Sequence, residues 1–241
     1  MGQRANYVEK RGEIYMQTTS SGKLALFDLD NTLLEGDSDH AWGEFLISNS
    51  LVEEKAHREK NDHFYDQYKQ GALDIHGYVA FTLQPVMQLD RTQRAKLIAK
   101  FMEQSVAPII LDKGRKLVRT HLDAGDFCII ITATNEFIST PIAKLFNADL
   151  IIATQLQISN NMYNGKILGT PCYQAGKVAK VNAWLDQQES RFNLSDAVFY
   201  SDSINDLPLL QEVTTPVAVD PDPRLREKAE SEGWKILTLR S

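Results

Sequence analysis

The chain has 241 residues, of which 43% are hydrophobic and 24% are charged. This length and balance fit a globular protein with one large domain, or one domain and a smaller insert. The 26 Lys and Arg residues against 32 Asp and Glu residues give a formal net charge of −6. A net acidic surface argues against nonspecific binding to nucleic acid or to an anionic membrane, so we expect neither as a partner.

The cysteines and the apolar runs exclude further classes of protein. The two cysteines, Cys128 and Cys172, indicate neither a disulfide framework nor a thiolate metal cluster. No apolar run approaches the roughly 18 residues that span a bilayer. Residues 1–22 lack the apolar stretch of a secretion signal, and we interpret them as a flexible leader. We therefore expect a cytoplasmic protein, either a monomer or a homodimer.

The first predicted strand is the apolar run Leu24–Phe27. The pattern that follows is helical and contains no convincing strand, so we expect residues 38–113 to form a helical cap. Three helices are predicted there from the polar residues that would cap them, which are Ser38 or Asp39, Asp74, and Asp90.

Beyond the predicted cap, short apolar runs alternate with amphipathic stretches, which is typical of parallel strands joined by crossover helices. The predicted strands are Phe127–Ile131, Leu150–Ala153, Ala197–Tyr200, Val217–Val219 and Trp234–Leu239. The predicted helices are Gly114–Ala124, Phe137–Phe146, Lys177–Gln187, Leu207–Val213 and Pro223–Glu232. Asn164-Gly165 predicts a hairpin turn. The fold class is therefore α/β, a doubly wound parallel sheet formed by residues 23–37 and 114–241, with the helical cap inserted.

Polar side chains follow several of the predicted strands. Asp28 and Asp30 come directly after the first strand, Thr132 follows the second, and Asp202 and Asp206 follow the fourth. In doubly wound sheets, ligands bind beyond the carboxyl ends of the strands. The sequence therefore predicts that these groups gather at one rim of the sheet.

The residue types at this rim favour phosphoryl transfer. Carboxylates that lie close together repel one another unless a cation sits among them, and oxygen ligands select a hard cation such as Mg²⁺. A carboxylate can attack phosphorus to form an aspartyl-phosphate, and a second carboxyl group can act as acid and then as base. Lys177, which opens a predicted helix, and hydroxyl donors could hold the phosphate oxygens.

Four short motifs resemble those of haloacid dehalogenase-like phosphatases, and they occur in that family's order. They are Asp28-x-Asp30-x-Thr32, then Thr132, then Lys177, and then Asp202-x-x-x-Asp206. The resemblance covers roughly residues 23–240. The helical insert is similar to the cap of the phosphoserine phosphatase-like branch.

The resemblance implies a role for each carboxylate and Mg²⁺ as the cofactor. Asp28 would be the nucleophile and a metal ligand. Asp30 would be the general acid and base, and its main-chain carbonyl would also bind the metal. Asp202 would be the third protein ligand, and Asp206 would support the metal site from outside the ligand set.

The resemblance also implies which residues contact a small phosphorylated metabolite. Thr132 and Lys177 would bind its phosphate, and Asn205 would contact the substrate. Asp37 stands nine residues after Asp28, where phosphoserine phosphatases carry a Glu that holds the substrate's amino group. The matching cap stretch has no Arg to bind a substrate carboxylate. A phosphorylated amino alcohol without a carboxylate, such as histidinol phosphate, is therefore the favoured substrate.

Several alternatives stay open at this stage. The protein could be a phosphoserine phosphatase, a phosphotransferase, or a receiver-type module that binds a phosphoryl group. The fourth motif also departs from the family pattern, because Ser201 and Ser203 stand where glycines are usual. We interpret Asp39 as an ordinary cap residue, and the aromatic residues of the helical insert as packing groups.

Overall fold

The structure is a computed structural model. It describes residues 22–188 and 191–240, and for residues 6–10 and 13–17 it describes the backbone alone. The predicted flexible leader, residues 1–22, falls largely outside the described residues. Within it, the described backbone forms strands β1 (Asn6–Lys10) and β2 (Glu13–Gln17), which pair antiparallel.

A six-stranded parallel sheet forms the centre of the protein, in the order β10-β9-β8-β3-β4-β5. Its strands are β3 (Leu24–Phe27), β4 (Phe127–Asn135), β5 (Leu150–Thr154), β8 (Ala197–Ser201), β9 (Thr215–Val219) and β10 (Lys235–Leu237). All four residues of β3 are buried, as expected for a strand with both faces covered. Because β3 lies between β4 and β8, the chain after Phe27 emerges at the middle of the rim.

Helices cover both faces of this sheet and connect its strands. They are α5 (Asp112–Asp123), α6 (Glu136–Ala143), α7 (Ala175–Leu185), α8 (Leu207–Leu210) and α9 (Pro223–Glu232). Alternate residues of β3 belong to different apolar clusters, Ala25 to one and Leu26 to the other, as the two-residue period of a strand requires. The predicted doubly wound α/β class is confirmed. Among the described residues, no helix combines the length and hydropathy needed to cross a membrane.

Four α-helices lie between β3 and α5. They are α1 (Ser38–Ser48), α2 (Glu54–Gln70), α3 (Ile75–Leu83) and α4 (Arg91–Phe101). The predicted caps Asp74 and Asp90 accept hydrogen bonds from Gly77 N and Gln93 N. The cap of α1 is Asp37, which accepts from His40 N, so the prediction of Ser38 or Asp39 is wrong by one or two residues.

The helical insert packs around an aromatic cluster. Trp42, Phe45 and Phe101 are buried, with ring centroids 5.2 to 5.4 Å apart. The Trp42 indole donates to the carbonyl of Thr82 at 3.2 Å, which satisfies its one polar group. For these aromatic residues the packing interpretation is confirmed.

A hairpin of β6 (Leu156–Ser159) and β7 (Met162–Ile167) extends from the core to α3. Its turn is Asn160-Asn161, with φ of 50° and 62°, so the predicted turn at Asn164-Gly165 is wrong. Asn tolerates the left-handed conformation that such a turn requires. Gly165 lies inside β7 with φ of 77°, a left-handed conformation that favours glycine, and a Cβ there would lie 3.3 Å from Met87 Sδ.

Candidate active site

Thr32 joins the ends of the two central strands. Its hydroxyl oxygen lies 3.2 Å from Asp28 Oδ2 and 3.2 Å from Asp202 Oδ1, and it accepts a hydrogen bond from Asp202 N at 3.0 Å. One hydroxyl proton can be donated to only one carboxylate at a time. The two predicted metal-binding carboxylates are thus both brought within hydrogen-bond distance of a single buried hydroxyl.

Lys177 forms a buried ionic cluster with two of the predicted carboxylates. Its Nζ lies 2.7 Å from Asp28 Oδ1 and 2.7 Å from Asp206 Oδ2, and the residue is only 2% exposed. Burial lowers the pKa of Lys177, but the charges of Asp206 and Asp28 outweigh that effect and raise the pKa. Because an ammonium group has three protons, one remains for a further acceptor.

The two serines of the fourth motif form hydrogen bonds within the loop, and the Ser201 hydroxyl contacts the Asp206 carboxylate. Ser201 Oγ donates to Asp206 Oδ2 at 2.7 Å and accepts from Ser203 N at 3.1 Å. Ser203 has φ −110°, which any residue can adopt, and its hydroxyl accepts from Asn205 N. The departure from glycine therefore leaves the loop unstrained and adds a hydrogen bond to the Asp206 carboxylate.

Asp30 is held by donors from two elements. Its Oδ1 accepts from Ser38 N at 2.7 Å, and its Oδ2 accepts from Thr134 Oγ1 at 2.8 Å and from Thr132 Oγ1 at 3.4 Å. The sequence reasoning missed Thr134. The sequence did contain a signal for it. Thr134 stands two residues after Thr132 on the same strand, and alternate residues of a strand share a face.

The carboxyl groups at this rim are destabilised as anions. Burial, and then the charge of Asp37, raise the pKa of Asp30 to about 6. Burial also raises the pKa of Asp28, against the opposing charge of Lys177. The pKa of Asp202 lies well above its usual range because the group is buried and because Asp28 is close. Such a site favours a protonated carboxyl or a bound cation.

The donor set fits a hard divalent cation. Carboxylate oxygens of Asp28 and Asp202 and the main-chain carbonyl of Asp30 are oxygen ligands of the kind Mg²⁺ prefers. Across residues 22–188 and 191–240, no group of three or more His, Cys, Asp or Glu side chains converges as a metal cluster. A ligand set of two carboxylates and one main-chain carbonyl is compatible with that finding.

A cavity lies between this rim and helices α1 to α3. The volume of this cavity is about 30 Å³. This holds one or two water molecules, so the cavity must enlarge before a phosphorylated metabolite can enter. The lining residues are Asp28, Asp30, Asp37, Asp39, Phe64, Tyr65, Tyr68, Leu73, Ile75, Tyr78, Thr132, Ala133 and Thr134.

Two further carboxylates form the cap-side wall of the cavity. Asp37 Oδ1 accepts from His40 N at 2.8 Å, and Asp39 Oδ1 accepts from Asn135 Nδ2 at 3.3 Å. Burial raises the pKa of both groups, and the charge of Asp37 raises that of Asp39 further. Asp39, interpreted as an ordinary cap residue, thus lies in the cavity wall.

Aromatic side chains from the helical insert complete the wall. Phe64, Tyr65, Tyr68 and Tyr78 line the cavity. Burial raises the pKa of Tyr78 well above its usual range, followed by the charge of Asp39. These four residues contact the site, so treating all cap aromatics as packing groups is too simple.

Asn205 connects the core to the helical insert. Its Nδ2 donates to the carbonyl of Tyr68 at 2.9 Å, and its Oδ1 accepts from Gln174 Nε2 at 3.3 Å. Gln174 Nε2 also lies 3.1 Å from the carbonyl of Gly71, the residue that ends α2. The predicted substrate contact of Asn205 stays a prediction.

Comparisons with known proteins agree with this fold. The family model of haloacid dehalogenase-like hydrolases matches residues 25–211. The chain is 42% identical to a histidinol-phosphatase from Neisseria meningitidis serogroup C (strain 8013), over 90% of this chain and 99% of that protein. A solved structure of a protein with unknown function from Bordetella pertussis Tohama I has a TM-score of 0.84 and 38% identity, covering 92% of this chain and 100% of that one. A substrate-bound phosphoserine phosphatase has a TM-score of 0.66 and 16% identity, covering 90% of this chain and 93% of that one.

The chain belongs to the haloacid dehalogenase-like hydrolase family. Within that family it is a phosphatase, and the family generally uses Mg²⁺. The resemblance inferred from the four motifs is confirmed.

Proposed function

We propose that this phosphatase is a Mg²⁺-dependent phosphomonoesterase whose substrate is histidinol phosphate. The observation that carries the substrate assignment is the cap-side wall, where Asp37 and Asp39 lie beside three tyrosines and no Lys or Arg is among the described lining residues. The name of the relative from Neisseria meningitidis, a histidinol-phosphatase, supports the same substrate.

The charges of this wall suit the leaving group of histidinol phosphate. That group carries an ammonium and an imidazole, which can become cationic, and it has no carboxylate. Asp37 and Asp39 can pair with these cations, and the tyrosine faces can contact them. Phosphoserine would instead bring a carboxylate towards two carboxylates, which disfavours phosphoserine as the substrate.

In the first chemical step, an Asp28 carboxylate oxygen attacks phosphorus and the bond from phosphorus to the ester oxygen breaks. Asp30, with a pKa raised to about 6, donates its proton to the departing alkoxide. The third proton of Lys177 and the hydroxyl of Thr132 can hold phosphoryl oxygens as charge develops. The products are an aspartyl-phosphate and the alcohol.

In the second step, the Asp30 carboxylate takes a proton from water as the water oxygen attacks phosphorus. The bond from phosphorus to Asp28 breaks, which releases inorganic phosphate and restores both carboxyl groups. A Mg²⁺ ion held by Asp28, Asp202 and the Asp30 carbonyl would offset the negative charge of the phosphoryl group and the carboxylates. Asp206 would keep Lys177 in place through their ion pair.

The decisive experiment measures phosphate release from histidinol phosphate, phosphoserine, sugar phosphates and nucleotides, with Mg²⁺ and then with a chelator. We expect chelator-sensitive release with histidinol phosphate clearly preferred. Preference for phosphoserine would overturn the substrate. Transfer of the phosphoryl group to an added alcohol would favour a phosphotransferase, and a phosphoaspartate that persists for minutes would favour a receiver-type module.

We further propose that the reaction takes place in the cytoplasm as a step of amino-acid biosynthesis. This follows from the proposed substrate, because a phosphorylated precursor of an amino acid is a soluble intracellular metabolite. A monomer or a homodimer would suffice, since the catalytic groups described above all come from a single chain.

A further inference from the structure

Asn31 lies between Asp30 and Thr32 in a left-handed conformation, with φ of 57°. Its N–H donates to the carbonyl of Gly36 at 2.9 Å. Its own carbonyl accepts from Arg240 Nη2 at 3.2 Å. Both peptide groups that flank Asn31 are therefore fixed by partners elsewhere in the chain, and one of those partners is distant in sequence.

The orientation of the Asp30 carbonyl depends on this conformation. A trans peptide is planar, and its C=O and N–H point in opposite directions. Because the N–H of Asn31 points to Gly36, the carbonyl of Asp30 points away from Gly36. Asn tolerates a left-handed conformation better than most residues, and the hydrogen bonds with Gly36 and Arg240 hold Asn31 in it.

Asp220 holds the segment that carries Arg240. Its Oδ2 accepts from Leu239 N at 2.8 Å and from Arg240 N at 3.2 Å, and its Oδ1 accepts from Thr238 Oγ1 at 2.5 Å. Lys113 Nζ donates to the carbonyl of Arg240 at 2.9 Å. Asp220 directly follows β9, so the sheet itself fixes the position of this segment at the rim.

The guanidinium of Arg240 is placed for its contact with Asn31. Its Nε is buried and has no hydrogen-bond partner among the described residues, whereas Nη2 reaches the Asn31 carbonyl. A buried donor without a partner is unfavourable. The side chain thus leaves one of its donors without a partner in the position where it contacts the residue that follows Asp30.

We propose that Arg240, held by Asp220, is a positioning residue that keeps Asn31 left-handed and so directs the main-chain carbonyl of Asp30 to the metal site. The inference rests on the proposed function, because that function makes this carbonyl a Mg²⁺ ligand. Groups that orient metal ligands typically change metal affinity or activity by about 10- to 100-fold when they are removed.

The test compares Arg240→Ala, Arg240→Lys, Asp220→Ala and the double variant in the full chain. The matched control is Arg226→Ala, an exposed arginine of α9 that pairs with Glu230. Three readouts are the Kd for Mg²⁺ by calorimetric titration of metal-free protein, amide hydrogen exchange at Asn31, and kcat and KM for histidinol phosphate.

We expect Arg240→Ala to weaken Mg²⁺ binding about tenfold, to speed exchange at Asn31, and to lower kcat with KM within about twofold. Arg240→Lys keeps the charge and one donor, so it should recover part of the loss. Asp220→Ala should resemble Arg240→Ala, and the double variant should be no worse than either, because Asp220 acts through Arg240.

The proposal is overturned if Arg240→Ala keeps both its Mg²⁺ affinity and its Asn31 exchange within twofold of the parent, or if Arg226→Ala shows the same losses. Failure of the proposed function is recognised separately, because the parent protein would then bind no Mg²⁺ or release no phosphate. Exchange at Asn31 would still decide whether Arg240 holds the loop.

Discussion

The strand-end rim and the cap-side wall of the cavity carry the same kind of charge in different settings. At the rim, Asp28 and Asp206 share the buried ammonium of Lys177, so the chain itself supplies a counter-charge. At the wall, Asp37 and Asp39 are held by a main-chain N–H and a neutral amide. Under the proposed function, the rim is therefore organised for the reaction before any substrate arrives, whereas the wall is organised for a cation that the substrate brings.

The first way to break this comparison is to remove the proposed nucleophile, Asp28, from the rim. Asp28→Asn should lower kcat by more than about 10³-fold, because an amide cannot form the acyl phosphate. The fold should remain, since Lys177 keeps its ion pair with Asp206. Phosphate release and circular dichroism are the measurements.

The control for that variant is Asp196→Asn, which changes an exposed carboxylate paired with Lys23. It should keep full activity. Near-normal turnover by folded Asp28→Asn protein would show that another group attacks phosphorus.

Much of the rim could be predicted from the sequence because its residues directly follow strands that can be recognised from short apolar runs. The parallel strands read as apolar runs, and the polar residues that follow them must meet at one edge of the sheet. Asp28, Asp30 and Asp202 were found in this way. The prediction of Lys177 as a site residue depended on the order of the motifs, because nothing in the sequence around a single helical lysine indicates that it is buried.

The wall could not be predicted because it depends on how helices pack on the core. Nothing in the local pattern distinguishes Asp39 in the cavity from an ordinary helix-cap residue, or Tyr78 in the cavity from Trp42 in the aromatic cluster. The predicted position of the hairpin turn is wrong for a related reason. Gly165 has φ of 77° and lies against Met87, so the strongest local turn signal lies inside a strand.

The second way to sharpen the comparison is to neutralise the wall. Asp39→Asn and Asp37→Asn should each raise KM for histidinol phosphate by about 30-fold or more, because each removes one partner of a buried charge pair. Activity towards an ester whose leaving group is uncharged, such as propyl phosphate, should change much less. Steady-state kinetics on both substrates is the measurement.

Asp66→Asn is the matched control, since that carboxylate is exposed and pairs with Lys69 on α2. It should leave both substrates unaffected. Equal losses on propyl phosphate and histidinol phosphate would instead mean that Asp39 and Asp37 support the fold of the site and do not select the substrate.

A smaller effect should appear in the pH dependence. In its proposed role as the general acid, Asp30 must be protonated. Its pKa is raised to about 6, so the rate of the proposed first step should fall as pH rises through this value. Thr134→Val removes a 2.8 Å hydrogen bond to the carboxylate, which raises the pKa of Asp30 further. The alkaline limb should move up by about one pH unit.

The same pKa sets the sign of a stability effect in the metal-free protein. The folded state binds the Asp30 proton more tightly than the unfolded chain, so the free energy of unfolding contributed by this group falls as pH rises from about 4 to about 6.

Thr120→Val is the control for the Thr134→Val variant, because the Thr120 hydroxyl donates to a helix carbonyl on α5. An alkaline limb that is unchanged in Thr134→Val would assign that limb to another group.

The smallest expected effect concerns the connection between the two regions. Gln174 has φ 50° and ψ −123°, a strained conformation for a residue with a side chain, in a turn closed by Gly176 N to Tyr173 O. Its side chain contacts Asn205 and the carbonyl of Gly71. Gln174→Ala removes these contacts and keeps the strain, whereas Gln174→Gly removes both.

Both variants should raise KM a few-fold, because the helical insert closes less firmly over the cavity. Gln174→Gly should unfold at a higher temperature than Gln174→Ala, with a difference of about 1 kcal/mol in the free energy of unfolding. Thermal unfolding and steady-state kinetics measure the two effects independently. Equal stability of the variants would mean that the turn stores no strain, while an unchanged KM in both would mean that Gln174 does not hold the wall against the rim.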